Sequence, residues 1–360
     1  MISIFCAFFL SFLITILIIR TQKLHGSMSG DHDLNGPQKM HTRIVPRIGG
    51  LAIAAGVFTA VIVNYLEDRI GNQKLLLLLC SIPVFAIGLT EDFTKKISVR
   101  MRLAVTAISA VMVYYLLDAR IDNLDLPLLD FLFAISAISL AFTIFAITGL
   151  ANAYNIIDGF NGLSSMVGIL TLLALGYMGF TLHDPTIMSL SLVMASAILG
   201  FFLLNYPAGM IFLGDGGAYL IGFWMASLSI LFVNRHPEVS PWFALMVNAY
   251  PIWETLFTIY RRKIRQGKNP GAPDAIHFHS LIFRRILNRQ VLAGESDWLS
   301  ANAKTSPYLW VLCTLAIIPA ILFWYSTPIL IGSFLVFTVS YVWLYRRIVT
   351  FKTPGWMHPY

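Results

Sequence analysis

Eleven stretches of this chain are apolar for long enough to cross a lipid bilayer as helices. They run roughly over residues 2–19, 49–66, 75–90, 103–117, 131–150, 163–181, 186–206, 216–233, 241–259, 308–325 and 328–345. A helix rises about 1.5 Å per residue, so about 20 residues traverse the ~30 Å hydrocarbon core. The stretches are continuous rather than alternating, which argues against the strands of a membrane barrel. Only 12% of the 360 residues are charged and 57% are hydrophobic, whereas a soluble domain carries about a quarter charged residues. The expected fold is an all-α integral membrane protein with about eleven transmembrane helices. It would be one multi-pass domain over 1–360, with residues 260–306 as a long loop.

The basic residues predict the orientation. With the N-terminus outside and the C-terminus inside, 21 of the 25 Lys and Arg fall on cytoplasmic connections and the C-terminal tail, leaving Arg69, Lys74, Arg120 and Arg235 outside. Positive residues favour the cytoplasmic side, so the net charge of +7 reflects topology, and nucleic acid is not an expected partner. The first span reads as an anchor rather than a cleavable signal, because its first basic residue, Arg20, follows it. Cys6, Cys80 and Cys313 each lie inside an apolar run, where packing is their ordinary role.

With this topology the polar clusters gather on one side of the membrane: KMHTRIVPRIGG (39–50), EDFTKKISVRMR (91–102), ANAYNIIDGFNGLSS (151–165), FLGDGGAYLIGF (212–223) and RRKIRQGKNPGAPDAIHFHSLIFRR (261–285). Transporters place ionisable groups near the bilayer midplane. Here the middles of the spans are almost bare of charge, with Glu254 the exception near the inner end of the ninth. A site at the inner membrane face suits an enzyme that joins a water-soluble substrate to a lipid.

Each cluster carries its own chemistry. In 151–165 the polar residues Asn152, Asn155, Asp158 and Asn161 recur every third position. Neighbours three apart meet on a helix, and Gly159 and Gly162 predict that the helix ends there, letting Asn161 turn back. A capped helix end with a polar loop would use the same residues. Asp215, between Gly214 and Gly216, precedes the eighth span. A helix N-terminus offers N–H groups to phosphate, and a carboxylate there would need a bridging cation such as magnesium; a simple N-cap is the plainer reading. Glu91 and Asp92 are followed by Lys95, Lys96, Arg100 and Arg102, a set able to hold metal or phosphate and equally able to be a solvated loop. His277 and His279 face one way if their segment is extended, two histidines being few for zinc. The run FHSLIFRRIL beyond them suits an amphipathic helix lying in the membrane interface.

In this order the clusters resemble the polyprenyl-phosphate N-acetylhexosamine-1-phosphate transferases, glycosyltransferase family 4, nearer its O-antigen-initiating branch. KMHTRIVPRIGG is similar to the family's Lys-x-His…Pro-Arg-x-Gly-Gly segment, EDFTKKISVRMR to its Asp-Asp segment, NAYNIIDGFNGL to its Asn-rich signature, GDGG to its metal-aspartate loop, and PDAIHFHSL to its His-x-His-His loop. Glu91 stands where the family has the first aspartate of the pair, and Ser280 where it has a third histidine. The resemblance implies Asp215 and Asn155 as a magnesium-contacting pair, with manganese as a substitute. It implies Asp92, near a lipid phosphate, and Glu91, Asp158, His277 and His279 as catalytic, the histidines facing a nucleotide diphosphate and sugar. Lys39, His41, Arg47, Arg102, Asn152, Asn161, Gly214 and Gly216 would bind substrate, Asn161 reading uracil. The implied reaction moves N-acetylhexosamine-1-phosphate from a UDP-sugar to undecaprenyl phosphate at the cytoplasmic face of a bacterial inner membrane, with a homodimer as the candidate assembly. A phospho-N-acetylmuramoyl-pentapeptide transferase and a lipid-linked transporter are the alternatives. A CDP-alcohol phosphotransferase would need DGxxAR, but FNGLSS follows Asp158-Gly159.

Overall fold

The computed structural model describes residues 2–31, 44–68, 72–269, 271, 274–288, 291, 294 and 297–357; Lys39 and His41, both expected to bind substrate, lie outside the described residues. The helices are α1 (Ile2–Arg20), α2 (Gln22–Ser29), α3 (Gly49–Asp68), α4 (Gln73–Thr94), α5 (Val99–Leu116), α6 (Pro127–Phe133), α7 (Ser136–Ile157), α8 (Leu163–Thr181), α9 (Pro185–Asn205), α10 (Gly214–Arg235), α11 (Pro241–Val247), α12 (Ala249–Ile259), α13 (Phe278–Ile282), α14 (Trp298–Leu322) and α15 (Thr327–Val349). A π-helical turn, Tyr260–Arg265, continues α12, and another, Phe283–Leu287, continues α13. Among the described residues no strand forms; the nearest thing is a single antiparallel bridge between Gly30 and Pro46.

Ten of these helices are long and apolar enough to cross a membrane, and the protein is a multi-pass membrane protein. The ninth apolar run, read as one span over 241–259, is instead broken into α11 and α12 at Asn248. Pro251 explains the break. In a continuous helix its ring would press on the carbonyl of Val247 and remove that carbonyl's hydrogen bond. With α12 starting at Ala249, Pro251 falls in the first turn, where the N–H is unused. The released Val247 carbonyl accepts from the Thr171 hydroxyl at 3.1 Å instead.

Helix α10 forms the centre. Its apolar stretch is 94% buried, against 22% for α15 on the outside, and it packs on α3, α4, α7 and α8. Its first turn approaches α4 backbone to backbone, for a Cβ on Gly88 would lie 2.7 Å from the Cα of Gly216. That contact draws the GDGG segment against the EDF segment.

The connection read as a loop over 260–306 ends earlier, because Asp297 caps α14 by accepting from the Ser300 N–H at 2.7 Å. The FHSLIFRRIL run packs its apolar side chains against protein rather than presenting them as a free amphipathic face. Phe278, Leu281, Ile282, Phe283, Ile286 and Leu287 are all buried, so the segment folds back into the helix bundle.

Candidate functional site

Backbone pairing sets the first wall of the site. Residues 44–48 run as an extended strap between two loops. Asp31 N–H donates to the Val45 carbonyl (2.9 Å) and Arg47 N–H to the Ser29 carbonyl (2.9 Å) on one side. On the other, Phe212 N–H donates to the Pro46 carbonyl (2.8 Å) and Gly50 N–H to the Leu213 carbonyl (2.8 Å). The strap thereby fixes Arg47 beside the start of α10.

There Arg47 meets two carboxylates, its Nε 3.3 Å from Asp92 Oδ1 and a terminal nitrogen 3.2 Å from Asp215 Oδ1. Arg102 pairs with the other oxygen of Asp215 and lies over the Tyr219 ring. Asn155 Nδ2 donates to Asp215 Oδ1 at 3.1 Å, and the Tyr219 hydroxyl donates to Asn152 Oδ1 at 2.9 Å. Asp215 and Asn155, expected as a pair, do meet.

The first N–H groups of α10, expected to be open for phosphate, are already taken. Asp92 is fully buried and caps this helix from α4, its oxygens accepting from the N–H of Asp215 (2.8 Å) and of Gly216 (2.9 Å). Gly214 makes this possible. It sits at φ +75°, and a Cβ there would fall 2.7 Å from Asp92 Oδ2 and 2.0 Å from the Arg47 carbonyl. Glu91 turns elsewhere: its carboxylate accepts from the Ile97 N–H at 2.7 Å and fastens the turn after α4, where Lys95 is left-handed.

The Asn-rich segment supplies the next wall. Helix α7 stops at Ile157 and Gly162 takes φ +72°, so the chain reverses as its glycines predict. Asn161 is held by its backbone, its N–H donating to Asn302 Oδ1 (3.0 Å) and its carbonyl accepting from the Ser306 hydroxyl (2.6 Å). Its side chain donates to the Pro207 carbonyl at 3.2 Å. Asp158 is half-buried beside it; the burial of its carboxyl pushes it up to about 7, against the pull of the Arg47 charge.

The histidine loop closes the far side. The rings of His277 and His279 stack at 5.2 Å. Burial, reinforced by neighbouring His277, pushes His279 down to about 3, so it is a neutral imidazole, and its buried Nδ1 has no hydrogen-bond partner among the described residues. The basic RRKIR run is not a solvated face at its start: Arg261 and Arg262 are buried and both pair with Asp274.

These segments enclose one cavity of about 540 Å³, lined by Arg47, Arg102, Asn152, Asn155, Asp158, Asn161, Gly214, Asp215, His277 and His279. That volume suits a ligand larger than a single phosphate. Thr255, Thr258, Asn205 and Asn302 also line it, and sequence reading missed them because single polar residues carry no pattern. Among the described residues no group of three or more His, Cys, Asp or Glu forms a metal cage. The donors present are the Asp215 carboxylate and the Asn155 amide oxygen, with Asp158 nearby. Such hard oxygens fit magnesium, which is held through one or two carboxylates plus substrate phosphates.

The family model for glycosyl transferase family 4 matches residues 74–233. The chain is 28% identical over 321 residues to the probable undecaprenyl-phosphate N-acetylglucosaminyl 1-phosphate transferase of Bacillus subtilis (strain 168), covering 86% of this chain and 87% of that protein. It is 31% identical over 257 residues to the undecaprenyl-phosphate alpha-N-acetylglucosaminyl 1-phosphate transferase of Yersinia pestis, covering 69% and 68%. To the protein of that name from Escherichia coli O157:H7 it is 30% identical over 287 residues, covering 76% and 74%.

Proposed function

This chain belongs to glycosyl transferase family 4, and we propose that it transfers N-acetylhexosamine-1-phosphate from a UDP-sugar to undecaprenyl phosphate, releasing UMP. UDP-N-acetylglucosamine is the first candidate donor, on the names of the relatives. The product, undecaprenyl-diphospho-N-acetylhexosamine, would start a bacterial surface glycan such as O-antigen. The observation that carries this reading is the meeting of Arg47, Arg102, Asn155, Asp158, Asp215, His277 and His279 around one cavity, although they are scattered from residue 47 to residue 279. The bias of basic residues supports a cavity at the cytoplasmic face of the plasma membrane.

A phosphate monoester has its second pKa near 6, so the lipid nucleophile is ionised at neutral pH and needs no strong base. Its phosphate oxygen forms a bond to the β-phosphorus while the bond to UMP breaks, and UMP leaves with the electron pair. Asp215 and Asn155 are the residues that would hold magnesium. When bound, the ion would offset charge on the diphosphate and stabilise the leaving UMP. Arg47 and Arg102 hold Asp215 in place and supply further positive charge. Neutral His279 offers hydrogen bonding rather than charge. Direct displacement fits better than a covalent aspartyl-phosphate on Asp92, since both Asp92 oxygens are bound to backbone N–H groups and its side chain is buried.

The test is purified protein with undecaprenyl phosphate and a panel of UDP-N-acetylhexosamines, following UMP. Release of UMP with one sugar preferred supports the proposal. No UMP with any donor, together with substrate movement across proteoliposomes, would overturn it in favour of a transporter.

A further inference from the structure

Helix α12 buries a carboxylate, Glu254, which is 1% exposed. Its Oε1 lies 3.0 Å from His277 Nδ1 and accepts from the Phe278 N–H at 3.3 Å, while Oε2 accepts from the Tyr341 hydroxyl of α15. The Thr258 hydroxyl is 3.3 Å from the same Nδ1. An ionised carboxylate can only accept, so Nδ1 carries the proton and Nε2 is the nitrogen left for a ligand. A carboxylate on one ring nitrogen fixes both the tautomer and the tilt of a functional imidazole.

Building on the reaction proposed above, we infer that Glu254 is a positioning residue: it ties the histidine loop to the broken helix, holds His277 as the Nδ1–H form, and leaves Nε2 to face the bound substrate. The surroundings fit this. Asp274 Oδ2 lies 3.8 Å from Nε2 as a second carboxylate, but it is already paired with Arg261. His279 stacks on His277 without a charge of its own. Tyr341 steadies Glu254 from the opposite side. The break at Asn248 is what lets α12 bring Glu254 to the loop. Thus the one charge noted within the spans has a partner and a task.

Glu254→Gln separates this role from simple packing, because the amide keeps the volume and one acceptor but not the charge. We expect kcat/KM to fall about 10–100-fold, by analogy with the carboxylates that orient metal-bound histidines, mostly through KM for the UDP-sugar. Glu254→Asp should recover part of the loss. In full-length protein labelled with 15N-histidine in micelles, His277 (assigned with His277→Gln) should show a protonated Nδ1. In Glu254→Gln the share of neutral ring protonated at Nδ1 should fall. An unchanged tautomer with kcat/KM within twofold of the parent sinks the inference. If the parent releases no UMP, the reaction reading falls, yet the 15N signal of the His277 tautomer still decides the Glu254–His277 pairing.

Discussion

At its first turn α10 presents Asp215 to Arg47 and Arg102; at its last turn Arg235 and the following His236 close on Asp184, the N-cap of α9. Both ends pair an aspartate with arginine, and in both the partners come from distant parts of the sequence. Yet Asp184 is used up. Its Oδ1 accepts from the N–H of Thr186 (3.0 Å) and Ile187 (3.1 Å), and its Oδ2 meets Arg235 and His236. Asp215 has similar neighbours but opens on a 540 Å³ cavity, with an amide from α7 beside it. An aspartate–arginine pair therefore says little by itself. What separates a fastening from a site is the void next to it and the other polar groups that face the void.

The strongest way to break this contrast is to truncate both aspartates. Asp215→Ala should lower kcat by about 10²–10³, the usual effect of losing one preorganised charge-stabilising group, with a flattened response to added magnesium. Asp184→Ala should leave turnover per folded molecule within about twofold while lowering the thermal midpoint. UMP release and a melting curve on the same preparations decide. Comparable loss of turnover in the two variants would erase the distinction.

The approach of α4 to α10 gives the next largest effect. In Gly88→Ala the new methyl would sit 2.7 Å from the Gly216 Cα, in backbone that cannot swing aside. Overpacking of this kind costs about 1–3 kcal/mol. It should reduce turnover as well as stability, because the displaced turn carries Asp215. A smaller change is expected from Asp92→Asn, about tenfold in kcat, since the amide keeps one of the two acceptors that cap α10. Any product from that variant at such a level excludes a covalent intermediate on Asp92.

Much of this was legible in the sequence, for stated physical reasons. Long apolar runs have few alternatives to membrane helices, and ten helices long and apolar enough to span form here, the fifth run, read over 131–150, giving its span only from Ser136 to Ile157. The five polar clusters could be placed on one side because basic residues mark that side, and four of them line the cavity through Arg47, Arg102, Asn155 and Asp215, with His277 completing it. The break in the ninth run was less visible, although Pro251 marks it. Partnerships across the sequence were not visible at all. Asp92 and Gly216 N–H stand 124 residues apart, and Asn161 and Ser306 stand 145 apart. No spacing rule announces that a carboxylate on one helix caps another, or that buried Glu254 belongs to His277.

The finest test sharpens the far end of α10. Burial alone would raise the Asp184 carboxyl, but the Arg235 hydrogen bond and charge, the Ile187 N–H and His236 outweigh it and hold the carboxyl below its ordinary value. A lowered carboxylate stabilises the fold fully above its unfolded value, about 3.9, and that share is lost as pH falls through the lower folded value. Asp184→Asn keeps the N-cap, since asparagine caps as well as aspartate, and removes only the charge. Arg235 is about one-third exposed, so solvent screens the pair and its contribution is about 1 kcal/mol. The variant should therefore melt slightly below the parent at pH 7, and the gap should close below about pH 4 as the parent's carboxylate takes up its proton. A gap that persists unchanged at low pH would mean that Asp184 acts through shape and not charge, leaving its likeness to Asp215 one of composition alone.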